Sequence, residues 1–271
     1  VTLTELVPTL RRSHPIALPS GLWPASATPT DDGDVQLGGV PATEVAARFG
    51  TPAQVLDLSE VRRRVGLLRR ALPEAEIAFA GKALLCKGLL KALAAEGLSL
   101  DVCSAGEIAV ARAAGFPAER IILHGNAKTP EDLKAALTYG VGRIVLDSPE
   151  EAAQLAGLVT HAQQVLLRVT PGVDARTHKA ITTGTEGQKF GVALADAEDA
   201  IGAILTQPRL HLVGLHCHIG SQVSGVDAYE ESARRMVRLV ARVRARYGLT
   251  LTQLDLGGGF AIPYTENDEE F

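Results

Sequence analysis

Six segments that each follow a short apolar run carry the side chains able to do chemistry. Phe79-Ala80-Gly81-Lys82-Ala83 offers an amine, and Asp101-Val102-Cys103-Ser104-Ala105-Gly106-Glu107 a carboxylate. His124-Gly125-Asn126 adds an imidazole and Arg168 a guanidinium. His216-Cys217-His218-Ile219-Gly220-Ser221-Gln222 and Asp255-Leu256-Gly257-Gly258-Gly259 complete the set. A lysine after a strand is ordinarily a solvated surface residue. Lys82, however, sits between an apolar run and Ala-Leu-Leu, surroundings that favour a desolvated amine poised to attack an aldehyde. Three successive glycines are ordinarily a flexible turn; after a strand they can bring backbone N–H groups close to a phosphate, because no Cβ intervenes. His216 and His218 are two apart, so on a strand they share a face while Cys217 points away. A histidine pair of that spacing at a strand end can bind a metal, but needs further ligands, for which His124 and Asp101 are available. That alternative, a metal-dependent barrel hydrolase, leaves Lys82 and the glycines unexplained, and no metal is expected. For His216 the plainer expectation is a packed, hydrogen-bonded core histidine. For His218 it is a flat ring stacked on a planar cofactor. For Asp101 a capping role near Ser104 stands beside a role in the site.

The elements that must position these groups alternate. Short apolar runs predict strands over Glu76 to Ala80, Leu98 to Val102, Arg120 to Leu123, Arg143 to Leu146, Gln164 to Val169, Leu210 to His216 and Thr252 to Leu256. Between them lie Ala/Leu/Arg-rich helical stretches, the pattern of a parallel β/α fold. Helix starts are marked by Ser104 with Glu107, Ser148 with Pro149 and Glu151, and Thr129 with Pro130 and Asp132, and helix ends by Gly97, Gly115 and Gly140. In a parallel barrel the strand exits share one face, which collects the six segments. The expected architecture is α/β: a (β/α)8 barrel of the TIM type that stops one strand short. A run from Ala53 to Leu58 leads into a helix from about Ser59 to Leu72 and is expected to lie outside the barrel proper. Residues 1–45, rich in Pro, Gly, Thr and Asp, predict an irregular arm with one short strand near Val35 to Leu37; residues 46–271 are assigned to the barrel.

Composition narrows the function classes. A chain of 271 residues, 46% hydrophobic, buries a sizeable core, and a net charge of -4 with interspersed signs gives no footprint for nucleic acid or for a membrane surface. No run is long enough to span a bilayer. Three scattered cysteines, Cys86, Cys103 and Cys217, suit a reducing cytoplasm. A small-molecule substrate is the remaining default.

The segments above, with Pro171-Gly172-Val173-Asp174 through Thr177-His178, Lys189-Phe190-Gly191 and Ile262-Pro263-Tyr264, resemble the pyridoxal-phosphate-dependent amino-acid decarboxylases of the ornithine, diaminopimelate and arginine group, and most closely the diaminopimelate branch. The resemblance runs from about Val40 to Tyr264, in order and at family spacing. It implies that Lys82 binds pyridoxal 5'-phosphate covalently, that His218 stacks on its ring, and that Ser221, Gly257, Gly258 and Gly259 surround its phosphate, with Asp101 a carboxylate beside the lysine. It further implies loss of carbon dioxide from meso-diaminopimelate to give L-lysine, a homodimer with shared sites, and an arm that joins a second, β-rich domain. Other readings that remain are another basic amino acid as substrate and a cofactor-binding homologue without turnover. Phe79-Ala80 stands where the family commonly has Tyr-Ala. The family's Glu-Pro-Gly-Arg and Cys-Glu-Ser-Gly-Asp segments do not occur by Phe271, so the chain by itself is expected to lack part of the site and to have at most trace activity.

Overall fold

The computed structural model describes residues 18, 19, 21–173 and 189–268. These fall into two compact units, one holding the described residues up to Ala75 and those from Ile262 on, the other Glu76–Ala261. The division lies 30 residues beyond the compositional change at residue 45, because the helices Ala42–Phe49 and Leu58–Ala71 cluster with the first unit.

In the first unit, β1 (Thr28–Pro29), β2 (Val35–Leu37) and β3 (Val40–Pro41) form a three-stranded antiparallel sheet. The strand expected near Val35 is its centre. Helix α1 (Ala42–Phe49) follows, then α2 (Leu58–Ala71), whose Asp57 cap accepts from the Ser59 and Glu60 amides.

The second unit is a β/α alternation: β4 (Ala78–Ala80), α3 (Lys87–Ala95), β5 (Ser99–Val102), α4 (Ala105–Ala114), β6 (Ile121–Leu123), α5 (Pro130–Tyr139), β7 (Arg143–Leu146), α6 (Pro149–Ala156), β8 (Gln163–Thr170), β9 (Val192–Ala193), α7 (Ala197–Leu205), β10 (Leu210–His216), α8 (Val226–Tyr247) and β11 (Gln253–Asp255). The caps read from sequence are the ones that form. Ser104 Oγ accepts from the Glu107 amide, Ser148 Oγ from the Glu151 amide, and Thr129 with Asp132 makes a reciprocal capping box. All seven expected strands join one parallel sheet in the order β4-β5-β6-β7-β8-β10-β11. An eighth, β9, pairs with the end of β8 and was not anticipated, since two residues carry no periodicity.

This sheet curls. β7 is three strands from β4 and three from β11, roughly 14 Å in a flat sheet. Yet the Arg143 guanidinium on β7 bonds both Glu76, just before β4, and Gln253 Oε1 on β11 at 3.1 Å. Ser99 on β5 also donates to Glu76. The interior of the curl therefore has a polar layer at the strand entrances. Above it Ile122, Val145 and Leu166 pack with Val213. β10 shifts register against β8 between Leu212 and Gly214, so Val213 and His216, three apart, both serve the interior. The opposite faces, Leu100, Leu123, Ile144, Leu146 and Leu167, are buried on the helix side. The result is a truncated barrel whose strand exits share one rim.

Candidate functional site

Each strand exit delivers one group to that rim. Lys82 lies in a one-turn 3-10 helix, Gly81–Ala83, that follows β4. Gly81 is needed there for close approach: a Cβ would stand 2.7 Å from the Asp101 carbonyl oxygen on β5. Lys82 itself is exposed. The desolvated amine expected from its apolar flanks is not what the structure shows, since β4 is the terminal strand of the sheet and covers the lysine from one side only. Its positive charge acts on both Asp101 and His218.

Asp101 does not cap α4; Ser104 does. The Asp101 carboxyl instead points among charges, its Oδ1 inaccessible and without a hydrogen-bond partner. Burial, then repulsion from Asp255, push it up to about 7, with Lys82 opposing. His124 Nε2 stands 3.8 Å from that oxygen. This is not an ion pair at neutral pH, because burial and the neighbouring His216 hold His124 well below the usual imidazole range.

His216 is buried as expected, but its Nδ1 has no partner, so the hydrogen-bonded half of the expectation fails at that atom. Burial first, and then Arg168, keep it neutral. His218 is partly buried, and burial followed by Arg168 and Lys82 lowers it to about 4. Among the described residues, the three that converge are His124, His216 and Asp255, each offering one atom within 4.8 Å of the others. Arg168 and Lys128 both act electrostatically on these two imidazoles, which disfavours a cation among them.

The glycine loop after β11 is zipped to the loop after β10. Cys217 donates its amide to the Asp255 carbonyl at 2.8 Å, Val223 to Gly259 at 2.9 Å and Ala261 to Val223 at 3.1 Å. Gly259 has φ +96° and Gly257 φ +75°, backbone that side-chain-bearing residues rarely adopt. A Cβ on Gly259 would overlap the Gly220 carbonyl oxygen, and one on Gly257 would lie 2.7 Å from that of Cys217 and 2.8 Å from His218 Nδ1. Gly258 faces open space within 4 Å. Ser221 immediately follows Gly220 on the same rim.

Four further groups lie at or beside these strand exits. Asp147 is the exit of β7 and was available to the same strand-exit rule. Arg168 was noted but given no role; it is buried and lies over the Phe190 ring at 4.5 Å. Lys128 and Glu151 form a buried ion pair that no local pattern announces. Of the segments quoted for the resemblance, Asp174 through His178 lie outside the described residues.

Comparison with known proteins gives a coherent result. Residues 58–271 match the family described as pyridoxal-dependent decarboxylase, pyridoxal binding domain. A diaminopimelate decarboxylase of Actinosynnema pretiosum subsp. auranticum is 59% identical over 273 aligned residues, covering 100% of this chain and 61% of the relative. That of Mycobacterium tuberculosis H37Rv is 41% identical, covering 93% and 59%. Among solved structures, diaminopimelate decarboxylase from M. jannaschii superposes with TM-score 0.82 at 28% identity, over 91% of this chain and 59% of that one. Lysine decarboxylase from Selenomonas ruminantium gives 0.74 at 32%, over 82% and 56%. The chain spans about three fifths of the length of these relatives.

Proposed function

Since the chain belongs to the pyridoxal-dependent decarboxylases, we propose that its rim of strand exits binds pyridoxal 5'-phosphate and serves the decarboxylation of meso-diaminopimelate to L-lysine and carbon dioxide. The observation that carries this is the convergence of Lys82, Asp101 and His218, coupled electrostatically, beside two glycine-lined loops zipped together.

The residues fit the group. An amine that reaches solvent at the rim is accessible to an aldehyde, and Lys82 is that amine. His218, neutral and partly buried, presents a flat ring that carries no charge to be desolvated. Gly257 and Gly259 hold their loop against residues 217–220 and leave Gly258 facing open space, a cradle a Cβ would fill. With Ser221 it suits a phosphate, whose charge backbone N–H groups and hydroxyls can meet. Asp101 has an orphan oxygen that a donor on the bound group would satisfy. When bound, the cofactor supplies an electron sink for the pair left behind as a carboxylate departs. The chain's own work is to bind, to orient and to set charge: Lys82 attaches, the loops fix the phosphate, and Arg168 and Asp101 set the potential of the floor.

The diaminopimelate substrate rests on the relative at 59% identity. A second reading, another basic amino acid, is favoured by the likeness to the Selenomonas lysine decarboxylase. We take the three-stranded sheet of the first unit as part of a second, β-rich domain, and the active form as a homodimer with shared sites. Three free cysteines favour the cytoplasm, and among the described residues no helix is long and apolar enough to cross a membrane.

The test is made on the full-length protein. Pyridoxal 5'-phosphate added to the cofactor-free form should give visible absorbance, and borohydride reduction followed by mass mapping should place the adduct on Lys82. Carbon dioxide release is then compared for meso-diaminopimelate, L-lysine and L-ornithine. An adduct elsewhere overturns the site; preference for L-lysine or L-ornithine overturns the substrate.

A further inference from the structure

Lys128 has a side chain with no exposed surface. Its Nζ donates to three acceptors at 2.6 Å: the Gly125 carbonyl, the Val145 carbonyl and Glu151 Oε1. That satisfies all three of its protons. The second Glu151 oxygen, Oε2, accepts from the Asp147 amide at 2.6 Å. One buried ion pair thus grips the main chain just past the β6 exit, which carries His124, and on both sides of the β7 exit, which carries Asp147.

From Asp147 the order continues. Its Oδ2 accepts from the Gly191 amide at 2.8 Å. The neighbouring carbonyls of this segment are held from two other strand ends, Phe190 O by Thr170 Oγ1 at 2.7 Å and Lys189 O by Asn126 Nδ2 at 3.2 Å. Gly191, at φ +71°, packs so closely that a Cβ would stand 2.9 Å from the Arg168 carbonyl oxygen. Phe190 is thereby set under the Arg168 guanidinium at 4.5 Å.

The geometry points to Lys128 and Glu151 as positioning residues: their ion pair fixes the β6 and β7 exits so that Asp147, through Gly191, keeps Phe190 beneath Arg168 at the floor of the site. This rests on the proposed cofactor site for its consequence, but not for its geometry. A buried ion pair is weak evidence for stability, since a neutral pair of similar volume often serves as well. Here it supplies oriented bonds to three backbone groups at two strand exits, which an apolar pair cannot replace.

The test uses full-length protein, freed of cofactor. The variant Lys128→Met/Glu151→Leu leaves no unpaired buried charge and no acceptor for the Asp147 amide, and Asp147→Ala keeps the ion pair but cuts its link to Gly191. Amide hydrogen exchange is followed at residues 147 and 191 against the neighbouring strand amides 144–146, and pyridoxal 5'-phosphate affinity by absorbance titration. The double variant should lose protection at both 147 and 191 while 144–146 stay protected. Asp147→Ala should lose it at 191 alone. Both should weaken cofactor binding about tenfold, the scale on which outer partners of ligating groups act. Unchanged protection at 191 and binding within about twofold of wild type in Asp147→Ala would overturn the proposal, even if the double variant fails to fold. If the wild type itself binds no cofactor, the proposed site falls, and the exchange pattern still judges the positioning.

Discussion

The imidazoles of His124 and His216 meet edge to face, their ring centres 4.6 Å apart and their planes 77° from parallel. Both are buried and held neutral, with Arg168 acting on each. Two strand exits of the barrel interior are therefore joined by uncharged aromatic packing, where a pair of imidazolium ions would repel.

Replacement of His216 by Phe should preserve that packing. It removes an unpartnered nitrogen, so stability at pH 7 should change by less than about 1 kcal/mol. The pH response separates the variants. A histidine whose folded pKa is depressed binds its proton in the unfolded chain first, so its contribution is lost as pH falls below about 6.5. His216→Phe should lose less stability than wild type between pH 6.5 and 5. Thermal unfolding across that range checks it; a large loss at pH 7 would mean that His216 needs a hydrogen bond.

Asp101 has the opposite sign. Its folded pKa of about 7 lies above the ordinary 3.8, so the folded protein holds a proton that the unfolded chain gives up. Stability from this group is full below pH 3.8 and declines as pH rises to 7. In cofactor-free protein, Asp101→Asn should gain stability relative to wild type as pH rises from 4 to 7, and the difference should level off above 7. A difference independent of pH would show that Asp101 titrates normally.

Gly258 and Gly259 should separate fold from binding. Gly259→Ala drives a Cβ into the Gly220 carbonyl at a positive φ, and should cost more than about 2 kcal/mol by forcing the two loops apart. Gly258→Ala meets nothing within 4 Å and should change stability by less than about 1 kcal/mol. The cradle nevertheless predicts that Gly258→Ala weakens pyridoxal 5'-phosphate binding. Denaturant unfolding and absorbance titration measure the two effects; unaltered affinity in Gly258→Ala would place the phosphate elsewhere.

Lys82→Ala should abolish the visible absorbance of lysine-bound cofactor. Lys128 cannot substitute, because its three protons are engaged and its side chain is fully enclosed. Lys189 is a poorer rival, its Nζ lying 5.2 Å from the Phe190 ring centre. A reducible adduct persisting in the variant would move the assignment to another lysine.

The seven strands, the caps at Ser104, Thr129 and Ser148, and the placing of Lys82, Asp101, His218, Ser221 and the three glycines at strand exits are legible in the residue pattern. Each is written locally: alternation of apolar residues fixes a strand, and a side chain two or three residues from an orphan amide fixes a helix start. Which groups touch is set by the folded arrangement of the strands. The bonds from Lys128 to Glu151, Asn126 to Lys189, Arg143 to Glu76 and Arg143 to Gln253 span 23, 63, 67 and 110 residues, distances closed by strand order and curl rather than by any local pattern. Burial was decided there too. Lys82 has apolar neighbours in the chain yet stays exposed on the terminal strand, whereas Lys128, in an unremarkable loop, is enclosed where two strand exits converge. Desolvation depends on what packs against a side chain from all directions, and sequence neighbours supply only one of them.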